Sequence, residues 1–227
     1  MKAFILAAGR GERMRPLTDQ IPKPLLTVAG KPLIVHLIEQ LRAEGFIELV
    51  INTAYLGAQI HAALGDGAAL GVSIRYSDEG PEPLETLGGI VHALPLLGAE
   101  PFLVINADIA LDYPLGQLAL PDGDDAHLLL IANPPHHPDG DFGLNEQGRV
   151  LASAARQFTF AGVGVYHSRL FHNLTSSKAK LAPLLRQAMS QNRVSGTLHH
   201  GFWLDVGTPD RLQALAHYLP GNCHARS

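Results

Sequence analysis

Four cations, Arg10, Arg13, Arg15 and Lys23, fall within a stretch near the start of the chain rich in small residues and prolines: Leu6-Ala7-Ala8-Gly9-Arg10-Gly11-Glu12-Arg13-Met14-Arg15-Pro16-Leu17-Thr18, then Pro22-Lys23-Pro24-Leu25. The apolar residues just before it, Lys2 to Ala7, read as a strand that runs directly into the loop. Gly9 and Gly11 lack a Cβ, so their backbone N–H groups can approach an anion closely and adopt the positive φ values that turn successive amides toward it. Arg13, Arg15 and Lys23 add the positive charge that a polyphosphate requires. Prolines on both sides of Lys23 fix its approach, which argues against a merely solvated lysine. A Walker loop is excluded, because Glu12-Arg13 rather than Lys-Ser or Lys-Thr follows Gly11. A dinucleotide fingerprint would want a third glycine where Met14 stands. A plain glycine turn would explain the glycines but not the cations.

Two carboxylates complete the candidate chemistry. Asp108 follows the apolar run Phe102-Leu103-Val104-Ile105, and Asp205 lies within Phe202-Trp203-Leu204-Asp205-Val206-Gly207. A carboxylate delivered from an apolar segment needs an ion, hydrogen bonds or a metal as partner, and Mg²⁺ is held by one or two such oxygens together with substrate phosphates. The alternatives are a turn cap for Asp108 and a helix cap for Asp205, the second already supplied by Thr208. The twelve histidines include the pairs His136-His137 and His199-His200, but adjacent residues point apart and no cysteine or i+4 histidine joins them, so solvated loop positions are expected rather than zinc. No nucleophile elbow is present.

These residues must be positioned by a fold of moderate size. The chain of 227 residues carries 17 basic and 21 acidic side chains, a net charge of −4, which disfavours a nucleic-acid or anionic-membrane surface and points to small-molecule partners. Its single cysteine, Cys223, allows no intrachain disulfide and is consistent with a cytoplasmic setting. The first residues imitate a signal peptide, but the apolar run is too short and charges follow at once. No segment reaches membrane-spanning length. Short apolar runs alternate with helical patterns, the pattern of a parallel sheet covered on both faces. The predicted strands are Lys2 to Ala7, Leu49 to Asn52, Val72 to Tyr76, Pro101 to Asn106, His127 to Ala132 and Val163 to Tyr166. Leu33, Ile34, Leu37, Ile38 and Leu41 form one face of a helix that ends near Gly45, with Pro32 in its first turn. Further helices are predicted over Tyr55 to Leu64, Thr86 to Leu94 and Lys180 to Gln191, and a last one is capped by Thr208 with Pro209 at its first position. Asn145 to Gly148 reads as a hairpin turn. The strand ends at Ala7 and Asn106 then share the rim where open α/β sheets bind ligands.

With these residues in view, the N-terminal stretch resembles the signature of the sugar-1-phosphate nucleotidylyltransferases, L-A-A-G-x-G-x-R-x-x-P-L-T followed by P-K-P-L, filled here at every position. Later segments, Glu85-Thr86-Leu87-Gly88-Gly89, Asn106-Ala107-Asp108, Gly140-Asp141-Phe142, Lys180 to Leu185 and Trp203 to Thr208, are similar to the N-acetylmuramate 1-phosphate uridylyltransferases of bacterial peptidoglycan recycling. The resemblance spans residues 1–219. It implies an α/β fold, a Rossmann-like doubly wound, mostly parallel sheet. Residues 1–132 would form mainly the nucleotide-binding core and 133–207 mainly an inserted sugar-binding lobe, with 220–227 as a tail. It implies catalytic roles for Arg13 and Lys23, and nucleotide contacts from Ala8, Gly9, Gly11, Glu12, Arg13, Lys23, Glu85 and Gly88, the base being read by backbone groups. Sugar contacts fall to Asp141, Gly162 and Lys180, and Mg²⁺ to Asp108 and Asp205. The substrates implied are UTP and a sugar 1-phosphate, whose anionic phosphate attacks without a protein nucleophile. If the sugar is muramate, its lactyl carboxylate could meet Arg156, Lys178 or Lys180. Relatives acting with GTP, dTTP or CTP, and a non-catalytic sugar-nucleotide sensor, are the competing readings; the intact cation and carboxylate set disfavours the sensor. Two positions depart from the pattern: Ala107 and Leu87 stand where relatives usually place a smaller residue. The sequence leaves the oligomeric state open and is compatible with a monomer.

Overall fold

A computed structural model describes residues 1–219; the predicted tail 220–227, with Cys223, lies outside the described residues. Its elements, in chain order, are β1 (Lys2–Leu6), β2 (Thr27–Val28), β3 (Lys31–Pro32), α1 (Leu33–Ala43), β4 (Glu48–Thr53), α2 (Gly57–Leu64), β5 (Ser73–Asp78), α3 (Glu85–Leu97), β6 (Phe102–Asn106), β7 (Ile109–Leu111), β8 (Ala126–Ile131), β9 (Gly143–Leu144), β10 (Val150–Leu151), β11 (Thr159–Tyr166), α4 (Leu181–Ser190), β12 (Val194–His199), β13 (Trp203–Asp205) and α5 (Pro209–Tyr218). Seven strands form one sheet in the order β12-β8-β11-β6-β1-β4-β5. β6, β1, β4 and β5 run parallel, as do β12 and β8; β11 lies antiparallel between the two groups. Of the strands in residues 133–207, β11 and β12 therefore complete the sheet that residues 1–132 begin, while β9 pairs with β10 and β13 with β7 outside it.

Burial on both faces explains why the strands read as apolar runs rather than as alternating ones. In β1, Ala3 and Ile5 face α1 and α2, while Phe4 faces α3 and α4. Each fully buried Leu, Ile or Phe side chain stabilises the fold by about 1.5–3 kcal/mol relative to exposure, so this two-sided packing fixes the sheet. A third, smaller cluster of Met14, Leu26, Val28, Leu33, Val206 and Leu215 joins the N-terminal loop to β13 and α5.

Several boundaries differ from the sequence reading for local reasons. Pro32 precedes α1 instead of sitting in its first turn, with extended backbone (φ −57, ψ 143), because it pairs in the β2–β3 hairpin. α3 runs past Pro95 to the buried Leu97 and is ended by Gly98 at φ +90. β11 begins at Thr159, four residues before the predicted start, and carries a bulge at the positive-φ Gly162, which broke the apolar pattern. In α4, Leu184 is half-buried, while Leu181, Leu185, Ala188 and Met189 are buried. Thr208 caps α5, its hydroxyl accepting from Arg211 N–H at 3.4 Å.

His127 on β8 stands between Ser195 Oγ (2.7 Å) and Thr197 Oγ1 (2.9 Å) of the edge strand β12. Desolvation lowers its pKa; Asp124 pulls the other way and Arg149 adds to the lowering. A histidine whose folded pKa lies below its unfolded value of about 6.5 contributes fully above that pH, and the contribution fades as pH falls and the unfolded chain takes up the proton first. Thermal midpoints should therefore drop between pH 7.5 and 5.5 by more in wild type than in His127→Gln; equal drops would contradict this role.

Candidate active site

The loop that leaves β1 has no secondary structure until a 3₁₀ turn at Glu12–Met14, and its place is set by contacts from either side. Ala7 N–H donates to the buried Asn52 Oδ1 at 2.6 Å. Farther on, Met14 is fully buried in the third cluster, and the Gly11 carbonyl accepts from Thr18 Oγ1 at 2.8 Å and from Met14 N–H at 2.9 Å. Gly11 has φ +66, and a Cβ there would sit 3.0 Å from Lys23 Cβ, so glycine is needed for both its conformation and its space. Gly9 has open space where a Cβ would be. After a 3₁₀ turn at Leu17–Asp19, Lys23 begins a third one between the extended Pro22 and the buried Pro24.

Ala8, Gly9, Gly11, Glu12, Arg13, Lys23 and Glu85 line one cavity of about 430 Å³, together with Asp108. Asp141, Gly162 and Lys180 line a second of about 260 Å³. The two share Leu6, Thr86 and Asn106 as a common wall. Candidate nucleotide residues and candidate sugar residues thus gather in neighbouring hollows at one rim. Glu85 opens α3 with φ +58, a left-handed conformation rare for a residue with a side chain, and it does so at the cavity wall. Gly162 has φ +73, and a Cβ there would lie 2.6 Å from Asn106 Nδ2; its missing side chain lets the shared-wall Asn106 pack against β11.

Several expected residues stand elsewhere. Arg15 does not line the cavity: it pairs with Asp19 four residues on, at 2.6 Å, both side chains exposed. Arg10 lies over the Tyr55 ring, 4.8 Å from its centroid. Gly88 is not in the cavity wall either. A Cβ at Gly88 would come within 2.2 Å of the Ser177 carbonyl oxygen, so its role here is to let α3 pack against the 177–179 segment. The Leu87 N–H donates to the Ala179 carbonyl at 3.0 Å. Ala107 is buried in the cavity wall, its N–H bonded to Leu6 O at 3.0 Å. Of the cations considered for a substrate carboxylate, Arg156 sits over the Phe158 ring at 4.9 Å, and Lys178 is exposed outside the cavity that Lys180 lines.

The two candidate metal aspartates are neighbours through the backbone. Asp205 pairs with Ile109 across β13 and β7, and Val206 N–H donates to the Asp108 carbonyl at 2.8 Å. Each carboxylate, however, already holds a cation. Lys23 Nζ donates to Asp108 Oδ2, with the two side chains 12% and 25% exposed, and Arg211 donates to Asp205. His136 joins the second group, 3.1 Å from Asp205 Oδ1 and 2.8 Å from Arg211 Nη1. His137 pairs with Asp141 Oδ1 at 3.2 Å, while Asp141 Oδ2 accepts from Phe160 N–H at 2.8 Å. Both histidines lie in a loop with their side chains 41% exposed, as expected, but the turn at Pro134–His137 sends the adjacent rings to two different carboxylates. Among the described residues, no group of three or more His, Cys, Asp or Glu forms a metal cage.

Sequence reasoning missed Asn52 and Glu79. Both line the larger cavity; Asn52 Nδ2 donates to Glu79 Oε1 at 2.6 Å, and Leu84 N–H donates to Glu79 Oε2 at 2.7 Å. The available signal was a polar residue closing the apolar run Leu49-Val50-Ile51 at the rim.

Cations and glycine amides over the rim of a doubly wound sheet, beside a second hollow, define a class of α/β protein that binds a polyanion and a second small ligand side by side. A nucleotidyl transferase family model matches residues 2–220. The chain is 56% identical to an N-acetylmuramate alpha-1-phosphate uridylyltransferase of Neisseria meningitidis serogroup B, covering 95% of this chain and 98% of that protein. It is 34% identical to one of Caulobacter vibrioides over 91% of this chain and 92% of that protein. In fold it is similar to a putative glucose-1-phosphate thymidylyltransferase from Bacillus anthracis, with a TM-score of 0.79 at 21% identity and 96% of each chain covered. The chain belongs to the nucleotidyl transferase family.

Proposed function

We propose that this chain transfers the uridylyl group of UTP to N-acetyl-α-muramate 1-phosphate, giving UDP-N-acetylmuramate and pyrophosphate, in the cytoplasm and in the service of peptidoglycan recycling. The observation that carries the reading is the pair of adjoining cavities: candidate nucleotide residues line one, candidate sugar residues the other, and Leu6, Thr86 and Asn106 separate them by a single wall. The 56% identity to the Neisseria enzyme supports UTP and muramate as the particular substrates.

In this reading a phosphate oxygen of the sugar substrate, already anionic, attacks the α-phosphorus of UTP. One P–O bond forms as the bond to the bridging β-phosphate oxygen breaks, and the electron pair leaves with pyrophosphate. The acceptor surrenders no proton, so the protein supplies alignment and charge. Arg13 is assigned to the outer phosphates, and Lys23, released from Asp108, to the α-phosphate or the attacking phosphate. Arg13 packs against Gly207, where a Cβ would lie 3.0 Å from its guanidinium, so the family segment ending in Gly207-Thr208 bounds the phosphate end.

The residues present fit Mg²⁺: Asp108 lines the larger cavity, and Asp205, which does not line it, stands on the segment whose Val206 N–H bonds the Asp108 carbonyl, a pair of hard carboxylates of the kind this ion takes together with substrate phosphates. Asp108 and Asp205 would hold it, and it would supply neutralisation of the charge that develops on the transferring phosphoryl group. The described residues contain no helix long and apolar enough to cross a membrane. We assign the chain small-molecule partners and no nucleic-acid surface.

Pyrophosphate release measured for several sugar 1-phosphates against UTP, CTP, GTP and dTTP should be fastest with UTP and N-acetylmuramate 1-phosphate. A tenfold preference in kcat/KM for another pairing, about 1.4 kcal/mol in transition-state stabilisation, would overturn the assignment. Asp108→Asn and Asp205→Asn should each raise the Mg²⁺ concentration for half-maximal rate, and the double variant should be little worse than either single one, since groups acting as one unit are non-additive. An unchanged Mg²⁺ requirement with multiplying losses would instead give the two aspartates independent structural roles.

A further inference from the structure

Arg211, in the first turn of α5, stands where the carboxylate assigned to Mg²⁺ meets the phosphate end of the larger cavity. Its Nη1 donates to Asp205 Oδ1 and lies 2.8 Å from His136 Nε2, while Nε is 3.4 Å from Thr208 Oγ1. Its Nη2 has no hydrogen bond among the described residues, and the side chain keeps 16% of its surface exposed. That free nitrogen rests against Gly207, a residue of the cavity wall: a Cβ at Gly207 would lie 2.5 Å from Arg211 Nη2 and 3.0 Å from Arg13 Nη2. Donors from two guanidiniums therefore converge on the place that a side chain at 207 would fill, and glycine leaves that place open.

Like charges this close repel unless they share an anion. Asp205 pairs with Arg211, whereas Arg13 lines the cavity with no hydrogen bond or ion pair among the described residues. One positive charge is thus in excess at this corner. A group with several anionic oxygens would satisfy both donors at once, and a terminal phosphate is such a group. The geometry points to Arg211 as a second phosphate-binding guanidinium, whose Nη2 donates beside Arg13 to the outer phosphates of UTP and then to the pyrophosphate that leaves. Its other arm faces Asp205, so one planar side chain links the leaving group to the carboxylate assigned to Mg²⁺, which the single point charge of a lysine cannot do. The inference rests on the uridylyl-transfer reading above and extends it to a residue outside the N-terminal loop.

The test is direct binding, by calorimetry at fixed Mg²⁺, of UTP, pyrophosphate, UMP and N-acetylmuramate 1-phosphate, each alone, to wild type and to Arg211→Lys. That variant keeps a charge for Asp205 and gives up the second arm. UTP and pyrophosphate should each bind it about tenfold more weakly, the scale of one charge-assisted hydrogen bond. UMP, which has no outer phosphates, and the sugar phosphate should bind as they do to wild type, and the thermal midpoint should not move. Gly207→Ala, whose methyl would fill the place between the guanidiniums, should bring the same selective loss; it leaves Arg211 in the chain and so carries the test if the first variant is unstable. Arg13→Lys combined with Arg211→Lys should cost less than the two single losses multiplied, because both arms grip one group. Unchanged affinity for pyrophosphate, an equal loss for UMP, or a loss confined to the sugar phosphate would overturn the inference while wild type still released pyrophosphate from UTP. If wild type binds no UTP and releases no pyrophosphate with any sugar 1-phosphate, the uridylyl-transfer reading itself falls, and the inference with it.

Discussion

A buried amide at the end of β4 holds the rim of this sheet together. Asn52 accepts the Ala7 N–H at 2.6 Å and donates to Glu79 at 2.6 Å, and the second oxygen of Glu79 takes the Leu84 N–H at 2.7 Å just before α3 begins. The first link fixes where the cation loop leaves β1; the last fixes where Glu85 and Thr86 enter the cavity wall. Gly89 is part of the same constraint, since a Cβ there would lie 2.5 Å from Glu79 and 2.9 Å from Asn52. Breaking one link leaves a buried polar group unpaired, a loss of about 1–3 kcal/mol. The consequence for the site is a displaced loop as well as a weaker fold, because residues 7–11 have no ladder of their own to restore their position.

Two carboxylates of the site hold a cation before any ligand arrives: Lys23 closes on Asp108 and Arg211 on Asp205, while the His136 ring also meets Asp205 and the His137 ring meets Asp141. A polyanion and a cation arriving together would exchange partners with these pairs instead of creating uncompensated charge, so the cost of desolvating Lys23 and Asp108 is already met in the free protein. Pairing also holds each long side chain in place, which limits the conformational entropy lost on binding.

The two-faced sheet was legible because the continuous apolar runs of its buried strands and the helix periodicity of α1 and α4 are set by local packing. The glycine-and-cation wall of the larger cavity was legible for a similar reason: Gly9, Gly11, Arg13 and Lys23 are close in sequence, and short-range chemistry placed them together. What was illegible depends on partners far along the chain. Gly88 met Ser177, about ninety residues away, an outcome that does not follow from the residue type. Asn52 and Glu79 gave little signal because a buried hydrogen-bonding hub looks like a strand terminus until the strands are laid side by side. The antiparallel insertion of β11 was likewise hidden, its two glycines lowering the apolar signal at the position where the chain makes room for Asn106 and Tyr166.

The central claim is that two adjoining cavities bring an anionic acceptor directly onto the α-phosphorus, with no side chain taking the nucleotidyl group in between. The stereochemical course at that phosphorus tests it most directly, using UTP made chiral by sulfur substitution at the α-phosphate. One in-line displacement inverts the configuration, and inversion is the predicted result. Retention would require two displacements through a covalent nucleotidyl-protein intermediate and would contradict the account.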